Sequence, residues 1–269
     1  MSTAAYVRYD DAVEVVQPDE EATIGEVLEV FHRLQTLTFE KHRHAVRAAH
    51  AKSHGILRGT LTVLGGLAAP LAQGLFAAAR AYPVIVRLST APGDILADGI
   101  ASFRGLALKV IGVDGPKLLP ELADAVTQDL LFVNHPAFPT GDVRSFLSAQ
   151  VAFFREQGAV YEVRAQLCTD LETMPVEDAS VRWPEDDRGS PYQTVARLEI
   201  PAQEAYSPER RVYADEVLAF SPWQGLRAHR PLGSIMRVRR RAYDASARFR
   251  HAMNARRASE PRSIDEFPA

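Results

Sequence analysis

A tyrosine lies between two arginines in a stretch of this 269-residue chain that has helical spacing. Arg239, Tyr243 and Arg250 fall on one stripe of the helix predicted over 231–259. A guanidinium one helical turn from a phenol favours the phenolate, because the two charges attract each other. A tyrosinate is an unusual metal ligand, and in proteins it binds one kind of heme iron. From the helix alone, a core tyrosine with an arginine packed on its ring is the favoured alternative.

The predicted helix has an inner face and an outer face. Arginines on the inner face need anionic partners, because an unpaired buried charge is very costly. The outer face is predicted to be solvated, with an exposed ion pair between Asp244 and Arg248. The inner stripe consists of Leu232, Ile235, Met236, Arg239, Tyr243, Ala247 and Arg250, and the outer residues are Arg237, Arg240, Arg241, Asp244 and Arg248.

Other segments with regular apolar spacing must position this helix. Thr23 and Glu26 have the spacing of a capping box, and the apolar stripe after them predicts a helix to about Phe39. A second helix, which bears Phe146, is predicted over 143–157. Strands are predicted over 55–64, 83–90, 99–113, 192–200 and 211–220, with a short apolar run at 129–133. The acidic segment 168–189 is predicted to be a long surface connection.

Composition and charge exclude several classes of protein. The chain is 46% hydrophobic and 24% charged, as globular proteins are. A net charge of -3 and a pI near 6.3 provide no general attraction to nucleic acid. The single cysteine, Cys168, excludes an intrachain disulfide and a multi-cysteine metal site.

The sequence also lacks the patterns of a membrane span or a secretion signal. Residues 61–79 carry no charge, but Gly65, Gly66 and Pro70 interrupt them, which favours a turn and a short buried helix. The N-terminus is acidic and has no apolar signal core. We therefore expect a cytoplasmic protein with no stable membrane insertion and no nucleic-acid partner. We expect one domain over 1–269, with loose ends at 1–22 and 260–269.

Five short motifs follow one another along most of the chain. Each motif is weak alone, but together and in this order they resemble the heme catalases, and more closely the short catalase-like heme peroxidases. The motifs are Arg47-Ala48-Ala49-His50-Ala51-Lys52, Val86-Arg87-Leu88-Ser89-Thr90, Phe103-Arg104-Gly105-Leu106-Ala107-Leu108-Lys109, the segment from Asp129 to Asp142, and Arg239-x-x-x-Tyr243 followed by Arg250.

The resemblance implies a fold and a cofactor. The fold would be α+β, an antiparallel β-barrel with flanking helices, and heme b would lie between the barrel and the Tyr243 helix. Tyr243 would be the axial iron ligand, and Arg239 would hold its negative charge. The other residues implied in heme binding are Arg47, Arg87 and Arg250 on the propionates and Phe146 on the porphyrin.

The resemblance also implies roles on the opposite face of the heme. His50 would act as general base, taking a proton from the peroxide and returning it to the leaving oxygen. Asn134 would hydrogen-bond the bound peroxide, and Thr90 would bond the other ring nitrogen of His50. Asn134 departs from the family pattern, because a gapless alignment places Val133 opposite the first of two asparagines.

The implied function is a heme peroxidase with catalase-like chemistry that reduces hydrogen peroxide or organic hydroperoxides. Ala49 stands where large catalases carry valine, and the chain is short, so a more open heme that admits organic reductants is expected. Two alternatives stay open: a fatty-acid hydroperoxide isomerase of the allene oxide synthase type, and a non-catalytic heme binder or sensor. The expected partners are a small peroxide and an organic reductant, and a homodimer or larger homo-oligomer also stays open.

Overall fold

The computed structural model describes residues 6–10, 12–100, 102–134, 146–185 and 190–269. These residues form a mixture of α-helices and one antiparallel sheet. The helices are α1 (Glu20–His42), α2 (Phe146–Glu156), α3 (Pro208–Val212) and α4 (Ser234–Met253), and the strands are β1 (Ser53–Val63), β2 (Ala81–Thr90), β3 (Arg104–Ile111), β4 (Thr127–Asn134), β5 (Ala159–Ala165) and β6 (Gln193–Ile200).

The six strands form a curled sheet in the order β4-β3-β2-β1-β6-β5. Residues of β3 and β4 line the same cavity as residues of β5 and β6, so the two ends of the sheet curve toward each other. Among the described strands, β4 and β5 do not pair with each other. The sheet is therefore half of a barrel, and the closed barrel that the resemblance implied is not formed by these residues.

Side chains alternate between the concave and convex faces of the sheet, because successive residues of a strand point in opposite directions. On β2, Val84, Val86 and Leu88 belong to the large hydrophobic cluster on the concave face. Ile85 lies on the convex face in a smaller cluster that also contains Phe220. Arg87 and Ser89 continue the convex face toward the end of β2, and this is the face that approaches α4.

Helix α4 is held at its N-terminus by carboxylates from other parts of the chain. Arg237 binds Glu14 at 2.7 Å, Glu20 at 2.6 Å and Glu177 at 2.9 Å. Glu177 also accepts the backbone N–H of Ser234 at 2.8 Å, which satisfies one of the free donors at the start of the helix. Arg237 was predicted to be solvated, but its side chain is only 14% exposed. The periodicity of a helix cannot show that distant segments cover its outer face.

Several boundaries differ from those predicted. Helix α1 begins at Glu20, before the expected capping box, and no side chain caps it. The strand expected over 211–220 is wrong: α3 and a turn of π-helix, Tyr213–Val217, occupy most of it. Ser207 caps α3 and Pro208 occupies its first turn, and these two helix-start signals outweigh the apolar alternation that follows. Strand β5 was not predicted, although Gly158 and the sequence Ala159–Ala165 are typical of a strand.

The C-terminal residues pack against the sheet, which differs from the loose tail that their composition suggests. Phe267 is buried in the smaller cluster, and Glu260 binds the buried Lys109 at 2.8 Å.

The uncharged stretch after β1 contains a short 3-10 helix, Gly74–Phe76, as expected. Within the part of the chain that the structure describes, no helix has both the length and the apolar character that crossing a bilayer would need.

Candidate functional site

A cavity lies between the convex face of the sheet and the inner face of α4. It contains about 660 Å³ of empty space, counted together with solvent at its mouth. The sheet contributes Arg87, Ser89 and Gly105, and α4 contributes Arg239 and Tyr243. Much of the remaining wall consists of small side chains, namely Ala48, Ala49, Ala107, Ala219, Ala242, Ser246 and Ala247.

Arg239 and Tyr243 make the contact that their spacing predicts. The Arg239 Nη2 group donates a hydrogen bond to the Tyr243 phenolic oxygen at 2.7 Å. The guanidinium carbon also lies 5.0 Å from the centre of the tyrosine ring. The phenolic oxygen of Tyr243 thus accepts a charge-assisted hydrogen bond from a guanidinium group. Both the metal-ligand interpretation and the packing interpretation of this pair therefore have the geometry that they require.

His50 is fixed in the cavity by its backbone as well as by its side chain. Its φ of 56° lies in the left-handed region, which a non-glycine residue adopts only when its surroundings enforce it. The His50 N–H donates to the Ala91 carbonyl at 2.8 Å, and its own carbonyl accepts from Arg87 Nη2 at 2.9 Å. The imidazole packs on Gly105, where an added Cβ would lie 2.6 Å from ring atoms Cε1 and Nδ1. Glycine is therefore required at position 105 for this placement of the ring.

Ser89, not Thr90, lies beside the His50 ring. The Ser89 hydroxyl is 3.1 Å from His50 Nδ1. The predicted role of Thr90 is wrong because neighbouring residues of a strand point to opposite faces, and Ser89 is the one on the cavity side. The buried Thr90 hydroxyl has no hydrogen-bond partner among the described residues. The quoted motif contained Ser89, but without the strand's orientation it could not show which hydroxyl faces the histidine.

The cavity keeps the His50 imidazole neutral. Burial, and then the charges of Arg87, Arg239 and Arg47, lower the pKa of His50 to about 4. Each cause disfavours the imidazolium, because that form would be desolvated and would lie among other cations. At neutral pH the ring is therefore able to accept a proton.

Three arginines converge beside the cavity around one carboxylate. Arg87 Nε binds Asp215 Oδ1 at 2.7 Å, and Ser53 donates to the other carboxylate oxygen at 2.5 Å. Arg87 was expected to bind a heme propionate, but Asp215 already neutralises it. Arg47 Nη2 donates to two backbone carbonyls, at 2.8 Å and 3.0 Å, and Arg250 Nη2 donates to one at 3.3 Å.

Arg47 and Arg250 carry buried N–H groups for which the described residues supply no acceptor. Arg47 Nε and Arg250 Nε and Nη1 have no hydrogen-bond partner within the described ranges. Burial and the charges of Arg250 and Arg87 hold the pKa of Arg47 well below its usual range, and burial lowers the pKa of Arg250 to about 10. Asp215 and Glu216 are the carboxylates that act on these guanidinium groups, and Glu216 also binds His44 at 2.9 Å, so among the described residues the three arginines outnumber the carboxylates. This position is suited to an additional anion.

The structure thus brings together most of the residues singled out in the sequence. Arg47, Arg87, His50, Arg239 and Tyr243 line the cavity described above. Arg250 lies with Arg47 in an adjoining cavity. Strand β4 ends at Asn134 and α2 begins at Phe146, but the side chains of these two residues lie outside the described part of the chain.

Three residues of the site were not assigned a role from the sequence. They are Ser89, Gly105 and Asp215. Ser89 and Gly105 stand inside two of the quoted motifs, so a signal was present. Asp215 lies in the segment predicted to be a strand, and no motif marked it.

The residues present fit a heme with two carboxylates. The Arg239–Tyr243 pair offers a phenolic oxygen of the kind that binds one type of heme iron, and small side chains line the cavity beside it. The N–H groups of Arg47 and Arg250 that have no partner among the described residues are donors of the kind that bind carboxylates.

Comparison with known proteins gives structural similarities but no sequence match. No known family profile matches the chain, and no curated protein matches it. Among solved structures, the chain is similar to a fungal catalase, with 13% identity over 98% of this chain and 72% of that chain, at a TM-score of 0.49.

Proposed function

We propose that this protein is a heme-dependent oxidoreductase that reduces hydrogen peroxide or organic hydroperoxides. The observation that carries the proposal is the 2.7 Å contact between Arg239 and Tyr243 in a cavity that also holds a neutral histidine. A tyrosine that is hydrogen-bonded by an arginine is suited to bind iron, and a neutral histidine is suited to accept a proton. If Tyr243 served packing alone, the left-handed backbone conformation of His50 in the same cavity would have no explanation.

Tyr243 would hold the heme iron through its phenolic oxygen, with Arg239 neutralising the charge. Arg47 and Arg250 would bind the two heme carboxylates through the N–H groups that no described residue accepts. Arg87 would not bind them directly, since it is paired with Asp215, but it would hold His50 through the backbone carbonyl. When bound, heme supplies the redox chemistry by which an O–O bond is cleaved.

His50 would move the proton in this reaction. The neutral ring accepts the proton of the attacking peroxide oxygen and then donates it to the leaving oxygen, which departs as water or as an alcohol. Two electrons and two protons complete the reduction, and they come from an organic donor or from a second hydrogen peroxide, which is oxidised to oxygen. Ser89 would orient the ring, and Asn134 would hydrogen-bond the peroxide, as the resemblance implies.

The proposal is tested by the absorption spectrum of the heme-loaded protein with Tyr243→Phe. We expect a high-spin tyrosinate-type spectrum in the wild type, lost in the variant because the phenolic oxygen is gone. Tyr82→Phe is the matched control, because Tyr82 is also buried beneath an arginine, with Arg80 4.9 Å from its ring, but it belongs to the concave-face cluster. A wild type that binds no heme, or an unchanged spectrum in Tyr243→Phe, would refute the proposal.

A peroxidase assay with His50→Ala separates catalysis from simple heme binding. We expect the rate to fall by about 10²- to 10⁴-fold, the usual contribution of a general base, while the spectrum of the resting heme remains. An unchanged rate would identify a heme binder without this catalytic mechanism. Product analysis with a fatty-acid hydroperoxide and no reductant would reveal isomerase activity.

A further inference from the structure

The last turn of α4 carries a buried histidine nitrogen beside the donors of Arg250. Arg250 is 1% exposed, and its Nε and Nη1 have no hydrogen-bond partner among the described residues. The same is true of Arg47 Nε and of Nδ1 of His251, the residue that follows Arg250. A buried polar group without a partner is costly, so four such atoms in one neighbourhood indicate a place where a ligand binds.

The contacts of the His251 ring determine which nitrogen carries the proton. Its Nε2 lies 3.5 Å from Arg250 Nη2. A guanidinium nitrogen can only donate, so Nε2 is the acceptor in this pair. Burial and the charges of Arg250 and Arg47 lower the pKa of His251 to about 4, which leaves a single proton on the ring at neutral pH. That proton is therefore on Nδ1, and Nδ1 is a hydrogen-bond donor.

The segment that carries Arg47 is fastened to the C-terminal half of α4. The Asn254 side chain accepts the Ala45 N–H at 2.9 Å and donates to the Ala45 carbonyl at 2.9 Å. Ser246 Oγ accepts the N–H of Ala48 at 3.1 Å. These contacts lie on both sides of Arg47 in the sequence, so its backbone is fixed relative to the last turn of α4 before any ligand binds.

The chemistry of these four nitrogen atoms selects the class of ligand. All four are donors, so the matching group must present acceptors. Three of them belong to guanidinium groups, whose positive charge favours a carboxylate over a neutral carbonyl. The fourth, His251 Nδ1, belongs to a neutral ring and adds a donor without adding charge. A carboxylate of the proposed heme meets both requirements.

We propose that His251 is a further cofactor-binding residue, whose Nδ1–H donates to the heme carboxylate that Arg250 binds. No motif in the sequence marks His251, because the quoted pattern ends at Arg250. The inference rests on the proposed function for the identity of the ligand, a porphyrin with carboxylates, but it does not depend on iron binding by Tyr243 or on peroxide reduction.

Fluorescence titration of the full chain, purified without heme, with protoporphyrin IX is the first test. This porphyrin has the carboxylates of heme but no iron, so its affinity contains no metal bond to Tyr243. His251→Leu removes the N–H and should weaken binding by at least about tenfold, the equivalent of one hydrogen bond to a charged group. With protoporphyrin IX dimethyl ester, which has no carboxylate charge, the wild type and His251→Leu should bind equally. Equal binding of the free acid, or an equal loss with the ester, would overturn the inference.

Three further measurements separate binding from a structural role. His251→Asn should regain most of the affinity, because the asparagine amide supplies a donor near the position of Nδ1. His32→Leu is the matched control, since His32 is exposed and packs against α4 only through Phe249, and it should bind as the wild type does. The heme-free His251→Leu chain should unfold at the same or a higher urea concentration, because an unpaired buried donor is removed. A lower urea midpoint with unchanged porphyrin binding would show a structural role and overturn the inference.

The two porphyrins distinguish this inference from the proposed function. Tyr243→Phe should weaken heme binding and leave protoporphyrin IX binding nearly unchanged, whereas His251→Leu should weaken both. If His251→Leu does not fold, His251→Met takes its place. Weaker protoporphyrin IX binding in the His251 variant, without a tyrosinate spectrum in the heme-loaded wild type, would support this inference and refute the proposed function. A tyrosinate spectrum with equal porphyrin binding by the wild type and the His251 variant would do the reverse.

Discussion

The side chains of the candidate site depend on backbone features that are easily overlooked. His50 adopts a left-handed conformation, and its N–H and carbonyl are both hydrogen-bonded to neighbouring segments. Its ring lies against the bare backbone of Gly105. The position of the proposed base is therefore set by a glycine and by an arginine that never touches the imidazole nitrogens.

Gly105→Ala tests whether this placement matters. The new Cβ would lie 2.6 Å from two ring atoms of His50, so the imidazole must move. We expect the peroxidase rate to fall by about 10²-fold, at the low end of the contribution of a general base, with little change in heme affinity. Gly25→Ala in α1 is the control, because nothing lies within 4 Å of its added Cβ. A Gly105→Ala enzyme with the wild-type rate would show that the ring has no fixed role.

Ser89→Ala and Thr90→Val distinguish the two neighbouring hydroxyls. Ser89 contacts His50, so its loss should lower the peroxidase rate by about fivefold, the equivalent of one hydrogen bond of about 1 kcal/mol. Thr90→Val should leave the rate nearly unchanged, because its hydroxyl is buried without a partner among the described residues. The reverse pattern would support the role that the resemblance gave to Thr90.

At the scale of elements, the first turn of α4 is held by carboxylates from three other segments of the chain. Arg237 binds carboxylates of the N-terminal arm, of α1 and of the acidic connection. The three negative charges would repel one another without it, and the hydrogen bonds to Arg237 keep the pKa of Glu20 below its usual value. This cluster fixes the end of the helix that carries Arg239 and Tyr243.

Arg237→Met should therefore destabilise the protein strongly. The variant keeps an apolar chain but leaves three close carboxylates without a cation, and we expect a loss of about 3 kcal/mol in the free energy of unfolding by urea. Arg248→Met on the same helix is the control, since its exposed pair with Asp244 is worth less than about 0.5 kcal/mol. Equal losses in the two variants would contradict the proposed anchoring.

The elements show how far the sequence can predict the structure. Helix α4 and strands β1, β2 and β6 follow from apolar periodicity, because each buries a continuous face. The strand prediction for 211–220 was wrong because the apolar alternation there is also compatible with a short helix. The cap at Ser207 decides in favour of the helix. Partners such as Asp215 and Glu177 could not be predicted, because they join segments far apart in sequence and no local pattern marks them.

At the scale of the whole molecule, buried histidines couple stability to pH. The pKa values of His50, His54 and His251 are lowered to about 4, mainly by burial. Between about pH 6.5 and 4 the unfolded chain therefore binds protons at these rings that the folded chain does not, so acid favours unfolding. Asp129 opposes this trend, because burial raises its pKa above the usual value and the folded state therefore binds its proton before the unfolded chain does.

We expect the three buried histidines to affect the pH dependence of stability more than Asp129 does. As the pH falls from 6.5 to 4.5, the free energy of unfolding should decrease by on the order of 1 kcal/mol for each pH unit. Urea titrations at several pH values measure this slope, and His54→Gln should make it shallower because one of the buried rings is gone. A slope that is flat in the wild type, or the same in His54→Gln, would contradict this account.

The order of the strands has a consequence for how the chain folds. Strands β1 to β4 pair with their sequence neighbours, and so do β5 and β6. Within the described strands, the two groups are joined where Thr60–Val63 pair with Ala196–Glu199. Closing this short seam requires a long loop, which makes it a slow step compared with the local hairpins. In pulsed hydrogen exchange during refolding, the amides of the seam should thus acquire protection after those within β2 and β3. Simultaneous protection of both would show that the seam forms in the same step as the hairpins.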